Sequence, residues 1–560
     1  MATLRHHLSY EPVPLKFGTS GRRGLVVDLT QLEIYTNVQA EIRYLQSLQP
    51  SEGGIQSGDD FYFAYDLRPS STKYVENDRG GICQAVVRAL QDGGMRPVNL
   101  GAIPTPALTY YALKHGKGSI MVTGSHIPFD RNGYKLNTSL GELLKKDEQP
   151  INENVAISRE ELLSQAYAES LFDQQGMLRD RPSDLPPVEA QGRATYIQRY
   201  LDFFNGQDLK GMKLLVYQHS AVGRDVVVEI VEKLGAEAIP AGRSETFVPI
   251  DTEAIDQAQL ESMQNLQKST GQTVDAIIST DGDSDRPLLL APEGDKLRFF
   301  GGDLLGMVVA EYLGPDAVVV PISSNDAIDQ GPLSSVTEAK TKIGSPYVIA
   351  GMQRAASKGR SRVCGWEANG GFLTGSDIER DGKLLSALPT RDAVLPLLCT
   401  LFAARTRQMS LPELFATLPK RYSRAALIRN FPRVTSLKII KLFSPEADIQ
   451  EVRYEDDRIV AYDHDNATLG VADEQVKHIR RELETVFSAE SSFAPIARVN
   501  YTDGVRIIFA NNDVAHFRPS GNADELRIYA VADSQDRADA IAAQGTAEPD
   551  GLLRRLERMV

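Results

Sequence analysis

The chain has 560 residues, well beyond the roughly 100 to 200 of one domain, so about three or four domains are expected and a disulfide- or metal-stapled miniature is excluded. Hydrophobic residues make up 42% and charged residues 24%, which excludes a largely disordered, collagen-like or coiled-coil chain. With 75 acidic against 61 basic residues the formal charge is -14, so nucleic acid and anionic membranes are not expected partners, and an anionic ligand needs a local basic pocket.

The amino terminus has no apolar run of signal-peptide length, and the longest apolar stretch, Ala393 to Ala404, is too short to cross a bilayer. Neither standard secretion nor a membrane partner is expected. Cys83, Cys364 and Cys399 form no zinc or disulfide pattern, which fits a reducing cytoplasm.

In chain order, Lys16 to Gly24 (KFGTSGRRG) reads as a glycine-rich turn with paired Arg22 and Arg23. It has the chemistry of anion binding, and an exposed turn is the alternative. Ser119 to Leu136 (SIMVTGSHIPFDRNGYKL) reads as a strand leading into a small-residue turn with an exposed Ser125 beside His126. Gly124 there leaves room for a ligand, and Asn132-Gly133 makes a turn that brings Lys135 back toward the serine. A plain loop is the alternative. Glu142 to Gln175 has the look of an insertion, and Asp180 to Gly192 (DRPSDLPPVEAQG) that of an interdomain linker, with helical spacing resuming at Ala194.

Lys213 to Tyr217 is a strand, followed by a helix over Arg224 to Leu234 with Val227, Ile230, Val231 and Leu234 on one face before Gly235. Ala276 to Ser279 and Ala317 to Pro321 read as buried strands suited to parallel sheets. Directly after AIIS comes TDGDSDRP, in which Asp281, Asp283 and Asp285 alternate and can point at one hard cation. An EF-hand is excluded, since its sixth position would be Arg286 and its twelfth Pro292. Magnesium is the better fit, against a solvated acidic turn.

Gly365 to Leu373 (GWEANGGFL) places Glu367 and Asn369 where they can grip sugar hydroxyls, or makes a tight turn with Trp366 in a core. After about Pro419 the α/β rhythm gives way to close antiparallel strands, VRIIF and ELRIYAV. Between them FRPSGNAD, with Arg518, Ser520, Gly521 and Asn522, has the donors of a phosphate cradle.

Taken together and in this order, these segments resemble the α-D-phosphohexomutase superfamily of phosphomannomutases and phosphoglucomutases. The family's FGTxGxRG matches Phe17 to Gly24, its TASHNPxxxNGxK Thr123 to Lys135, its DGDxDR Asp281 to Arg286, and its RxSGTEP Arg518 to Asp524. The resemblance implies an α/β four-domain architecture: three similar mixed α/β domains and a C-terminal α+β domain like the TATA-box-binding protein. With the breaks in pattern it gives domains at 1–190 (phosphoserine loop), 191–298 (metal loop), 299–419 (sugar loop) and 420–560 (phosphate binding). It implies interconversion of hexose 1-phosphate and hexose 6-phosphate, of mannose or glucose, through a phosphoserine at Ser125 and a hexose 1,6-bisphosphate that also serves as activator.

Magnesium is implied on Ser125, Asp281, Asp283 and Asp285. Arg23, His126 and Lys135 are implied to position the phosphoserine or move protons. Arg286, Lys342, Glu367 and Asn369 would bind substrate, and Arg518, Ser520, Gly521 and Asn522 its distal phosphate. Small sugar phosphates are the expected partners of a cytoplasmic monomer or homodimer. The chain departs from the family in TGSHIP for TASHNP, in EANGG for ExSGH, with Gly371 at the histidine position, and in RPSGNAD. A phosphohexosamine mutase and a non-catalytic sugar-phosphate-binding protein are the alternatives.

Overall fold

A computed structural model describes residues 2–75, 78–253, 255–445, 449–455, 458–463, 467–470, 473–521 and 524–560. They form two compact units, Met1–Val318 with Gly344–Phe415, and Val319–Ile343 with Ala416–Val560.

The first sheet holds β1 (Arg22–Leu25), β2 (Asp60–Tyr65), β3 (Arg96–Asn99), β4 (Ser119–Val122), β5 (Arg131–Thr138) and the short β6 (Gly141–Glu142). Its order is β1-β5-β4-β2-β3, with β6 on β5. Strands β3, β2 and β4 run parallel, and β5 and then β1 turn antiparallel. The second sheet repeats the plan with β7 (Lys213–His219), β8 (Glu237–Arg243), β9 (Ala276–Thr280), β10 (Pro287–Glu293) and β11 (Lys296–Phe299), ordered β11-β10-β9-β7-β8. Strands β8, β7 and β9 are parallel, and β10 and β11 antiparallel.

A third sheet has β12 (Ala317–Val319), β13 (Val363–Trp366), β14 (Phe372–Thr374) and, past the β15–β16 hairpin (Ile378–Arg380, Lys383–Leu385), β17 (Leu388–Asp392), ordered β12-β13-β14-β17. The expectation of parallel sheets therefore holds only in part. β9 has an antiparallel neighbour on one side, and AVVVP supplies an edge strand. The loops β4–β5, β9–β10 and β13–β14 each connect antiparallel neighbours within their sheets. These three loops carry the serine, the aspartates and Glu367.

Helices cover the sheets. Thr30 caps the helix Gln31–Ser47 by accepting from the Glu33 amide, and that helix is buried nearly all round because helices Ile82–Asp92 and Glu148–Ser164 both pack on it. The proposed insertion thus contains a helix built into the core of its sheet. Helix Arg224–Lys233 buries Val227, Ile230 and Val231 as its spacing predicts, and Gly235 follows with φ of 95°. Helix Gln191–Phe203 begins three residues before the predicted Ala194.

The second unit is built on an antiparallel sheet of β18 (Tyr422–Arg429), β19 (Glu451–Glu455), β20 (Arg458–Tyr462), β21 (Thr468–Leu469), β22 (Ile496–Asn500), β23 (Val505–Phe509), β24 (Val514–Pro519) and β25 (Glu525–Ala532). The order is β18-β25-β24-β23-β22-β19-β20-β21. VRIIF and ELRIYAV are not neighbours, because β24 lies between them and pairs antiparallel with both. No helix among the described residues is long and apolar enough to cross a membrane.

Candidate active site

Ser125 follows β4 on a backbone with φ of 54°, and its side chain is fully buried, where the sequence reading expected an exposed serine. Two buried residues hold the loop in that shape. Asp66 accepts from Thr123 Oγ1 at 2.9 Å and the Gly124 amide at 3.2 Å, and pairs with Arg68 at 3.1 Å. Arg68 then donates to the carbonyls of Ser125, Ile127, Pro128 and Arg131 at 2.7–3.2 Å. A Cβ on Gly124 would lie 2.6 Å from that guanidinium. The glycine makes room for Arg68, correcting the expectation that it opens space for a ligand. Asn132-Gly133 also differs from expectation. It lies inside β5, which returns Lys135 to the site as an antiparallel strand paired with Met121.

Ser125 Oγ donates to Asp281 Oδ2 at 2.7 Å and lies 3.3 Å from His126 Nδ1. Asp281 Oδ1 accepts the Asp285 and Arg286 amides at 3.1 and 3.2 Å, so the tight loop sets the carboxylate's direction. Asp283 Oδ2 accepts from Thr105 Oγ1 at 2.6 Å and Lys135 Nζ at 2.7 Å. Asp285 Oδ2 accepts from Lys135 Nζ at 2.6 Å and from Arg391 Nε and NH2 at 3.0 and 2.9 Å. Buried Asp283 Oδ1 and Asp285 Oδ1 have no hydrogen-bond partner.

One carboxylate oxygen from each aspartate lies within 4.8 Å of the others. Buried, unsatisfied carboxylate oxygens are costly. Three hard oxygens converging with two left over fit a divalent cation such as magnesium, and the residues present suit that group.

The electrostatics are those of a compensated acidic cluster. Burial, then Asp283 and Asp285, push the Asp281 carboxyl well above the usual range. Burial works the same way on Asp285, but Arg391, Lys135 and Arg286 together hold it far below that range. Asp283 is also lowered: burial and Asp285 oppose it, and the Lys135 ammonium and Thr105 hydroxyl prevail. Arg23, half-buried on β1, is pushed down to about 10 by burial and by Arg286, with Asp283 and Asp285 opposing. Its twin Arg22 has a different task. It is buried against Glu41 at 2.8 Å, bonded to the Leu15 carbonyl and Asn152, and stacked on Phe17.

In the sugar loop, Glu367 is buried and pairs with Arg391 at 2.8 Å. Asn369 uses Oδ1 to accept the Gly371 amide at 3.0 Å, while its carbonyl accepts from Thr252. Trp366 belongs to the core, stacked on Phe372 at 5.8 Å. Arg391, 2% exposed on β17, is a site residue that the sequence reading missed.

The second unit holds the remaining candidates. Arg518, next to last on β24, donates to Asp503 Oδ1 at 3.2 Å, while Asp503 Oδ2 accepts the amide of Ile343, next to exposed Lys342. Ser520 is buried, its amide bonded to the Glu525 carbonyl and its carbonyl to Arg433. Gly521 is half-buried, and Asn522 lies outside the described residues.

A buried serine on a metal-type carboxylate cluster, ringed by cations, is the site of a phosphoryl-transfer enzyme. The family models of the phosphoglucomutase/phosphomannomutase alpha/beta/alpha domains I, II and III match residues 14–161, 194–294 and 301–422, and that of the C-terminal domain residues 465–547. A phosphomannomutase of Sinorhizobium fredii is 38% identical over 535 residues, 95% of this chain and 98% of its own. One of Salmonella muenchen is 36% identical over 94% of this chain and 93% of its own. A phosphoglucomutase/phosphomannomutase family protein of Burkholderia thailandensis shares the fold with a TM-score of 0.59 at 17% identity, over 98% of this chain and 99% of that one. Aspergillus fumigatus N-acetylphosphoglucosamine mutase, solved with GlcNAc-6P and magnesium, gives 0.52 at 14% over 99% and 98%. The chain belongs to the phosphoglucomutase/phosphomannomutase family, and it is a hexose-phosphate mutase of four-domain architecture.

Proposed function

We propose that the enzyme prefers mannose phosphates and works through a phosphorylated Ser125. The observation that carries this reading is the buried Ser125 Oγ at 2.7 Å from Asp281, beside carboxylate oxygens without partners. The names of the Sinorhizobium and Salmonella relatives support mannose. In the first transfer the P–Oγ bond breaks and a P–O bond forms at the free sugar hydroxyl, whose proton passes to a neighbouring base. After the bisphosphate turns, the reverse transfer at its other phosphate returns the phosphoryl group to Ser125 and a proton to the oxygen left behind.

We assign proton handling and positioning of the phosphoserine to His126, Lys135 and Arg23, and the sugar hydroxyls to Glu367 and Asn369 with Arg286 and Lys342. Arg518, Ser520, Gly521 and Asn522 are assigned the phosphate that is not transferring. Magnesium, held by Asp281, Asp283, Asp285 and the phosphoserine, would offset charge on the transferring oxygens. Hexose 1,6-bisphosphate activates by phosphorylating any Ser125 that has lost its group. We place the domain limits near residues 190, 298 and 419. The three cysteines, all buried and unpaired, favour a reducing cytoplasm.

A phosphorus NMR time course with magnesium and a trace of glucose 1,6-bisphosphate tests the reading, offering mannose, glucose and N-acetylglucosamine 1-phosphates separately. The expected outcome is fastest conversion of mannose 1-phosphate, and none by Ser125→Ala. Faster conversion of the hexosamine phosphate would replace the substrate assignment, and turnover by the serine variant would remove the phosphoserine.

A further inference from the structure

Arg391 joins two loops that reach the site from different sheets. Its Nε and NH2 donate to Asp285 Oδ2 at 3.0 and 2.9 Å, and NH1 donates to Glu367 Oε2 at 2.8 Å, with Ser345 Oγ at 3.4 Å. A planar guanidinium sets the plane and direction of each carboxylate it holds through its fixed fork, whereas an ammonium such as Lys135, bonded to Asp283 and Asp285, acts as a point charge with rotatable donors. The pairing engages Asp285 Oδ2 and leaves Oδ1, the oxygen without a hydrogen bond. On the other side it engages Oε2 of Glu367 and leaves Oε1.

The strand beneath is firmly anchored. Asp392 accepts from the Tyr196 hydroxyl at 2.7 Å and from that of Tyr200, and Thr390 donates to Glu142 at 2.5 Å. The stem of Arg391 crosses Gly371, where an added Cβ would lie 2.6 Å from its Cγ and Cδ and 2.8 Å from its Cβ. Gly371 does not have a left-handed φ, so packing rather than backbone conformation demands glycine there.

We propose that Arg391 is a positioning residue that ties the metal loop to the sugar loop, and that position 371 is glycine because this side chain passes over it. The proposal deepens the mutase reading and rests on it for its kinetic arm. In this chain a permanent cation fills the space above position 371, where the resemblance places a histidine. The guanidinium fixes which oxygen of Glu367 faces the sugar, while Lys135 Nζ, also on Asp285 Oδ2 at 2.6 Å, keeps the direction of that carboxylate when Arg391 is removed. It also balances the buried acidic cluster, so its removal leaves the cation site more negative.

The test compares Arg391→Ala, Arg391→Lys, Gly371→Ala and the double variant Gly371→Ala/Arg391→Ala with wild type. The readouts are kcat and KM for mannose 1-phosphate, Mn2+ affinity by calorimetry without sugar, and the melting temperature. Arg391→Ala should raise KM about tenfold or more. It should also tighten Mn2+ about threefold, since a cation beside the carboxylates is gone. A purely structural role would weaken Mn2+ binding instead. Arg391→Lys should return Mn2+ affinity to near wild type without restoring KM, because the charge is kept and the fork is lost. Gly371→Ala should reproduce the KM rise, and the double variant should be no worse than Arg391→Ala, since both act through one side chain.

A KM within about twofold of wild type in Arg391→Ala, weaker Mn2+ binding, or additive single effects would overturn the proposal. If Arg391→Ala does not fold, Arg391→Lys and Gly371→Ala decide by the same KM criterion. A wild type without turnover would sink the mutase reading, and the Mn2+ arm would still decide the role of Arg391.

Discussion

Ser125 sits at φ of 54°, a backbone region that β-branched residues avoid, and Asp66 and Arg68 hold it there. Ser125→Thr keeps a hydroxyl but adds strain of roughly 1–3 kcal/mol to the loop. Carried into the transfer step, that strain should cost roughly 5- to 150-fold in turnover and lower the phosphate occupancy seen by intact mass, although threonine is an acceptable nucleophile elsewhere. The serine and the three acids were legible because each lies in one short run of chain. Arg391 was not, since its carboxylate partners lie 106 and 24 positions away and only the fold brings them to it. The burial of Ser125 was equally out of reach, because the residues that cover it, Asp281 above all, come from another sheet.

At the scale of the element, β1 separates two adjacent arginines by strand alternation. Arg22 turns inward to Glu41 and Arg23 toward the acidic cluster. Arg22→Met leaves Glu41 buried without its partner and should cost about 3–5 kcal/mol, read by denaturant unfolding. Arg23→Met should leave the unfolding midpoint nearly unchanged while lowering turnover about tenfold or more. From the residues alone KFGTSGRRG reads as a turn, because the pairing that makes Arg22–Leu25 a strand is with β5, more than a hundred residues on. β24 was lost for a related reason. The apolar run of VAHFRP is broken by His516, and its identity as a strand depends on β23 and β25 flanking it. The helix Arg224–Lys233 was readable because 3.6-residue periodicity is a local property.

Across the whole molecule, two of the described histidines, one in each unit, are buried in the neutral form. His219 donates from Nε2 to the Thr280 carbonyl at 2.8 Å, and His516 to that of Asp503 at 2.6 Å, and neither Nδ1 has a partner. Burial, with Arg224 adding to it, pushes His219 down to about 4. Burial and Arg506 push His516 down to about 3. The unfolded chain takes up protons below about pH 6.5 that the folded rings refuse, so these groups contribute stability above that pH and lose it on acidification. Between pH 6.5 and the folded values each should cost roughly 1 kcal/mol per pH unit. Thermal melts from pH 7 to 4.5 should fall, and His516→Gln should flatten the decline. An unchanged slope would remove His516 as a cause. The five segments in their order along the chain, through the family resemblance they carry, were enough to read the four-domain plan, whereas the division into two compact units was not readable, because Val319–Ile343 leaves its sequence neighbours for the C-terminal residues.

That excursion has a consequence for synthesis on the ribosome. Arg421 bonds Asp326, the Asn325 amide side chain bonds the Arg421 carbonyl, and the Ile322 carbonyl waits for Arg506, 184 residues later. While residues up to Phe415 emerge and the first unit gathers its last segment, Val319–Ile343 has internal contacts such as the Pro321–Thr341 bridge and Lys340 to Asp329 at 2.6 Å, but those to Arg421 and Arg506 have still to be made, so the loop is held less firmly than in the finished protein. A chain released early, by a stop codon ahead of Arg506, would present that loop to proteases, so nascent fragments should be cleaved between residues 319 and 343 while the finished protein is not.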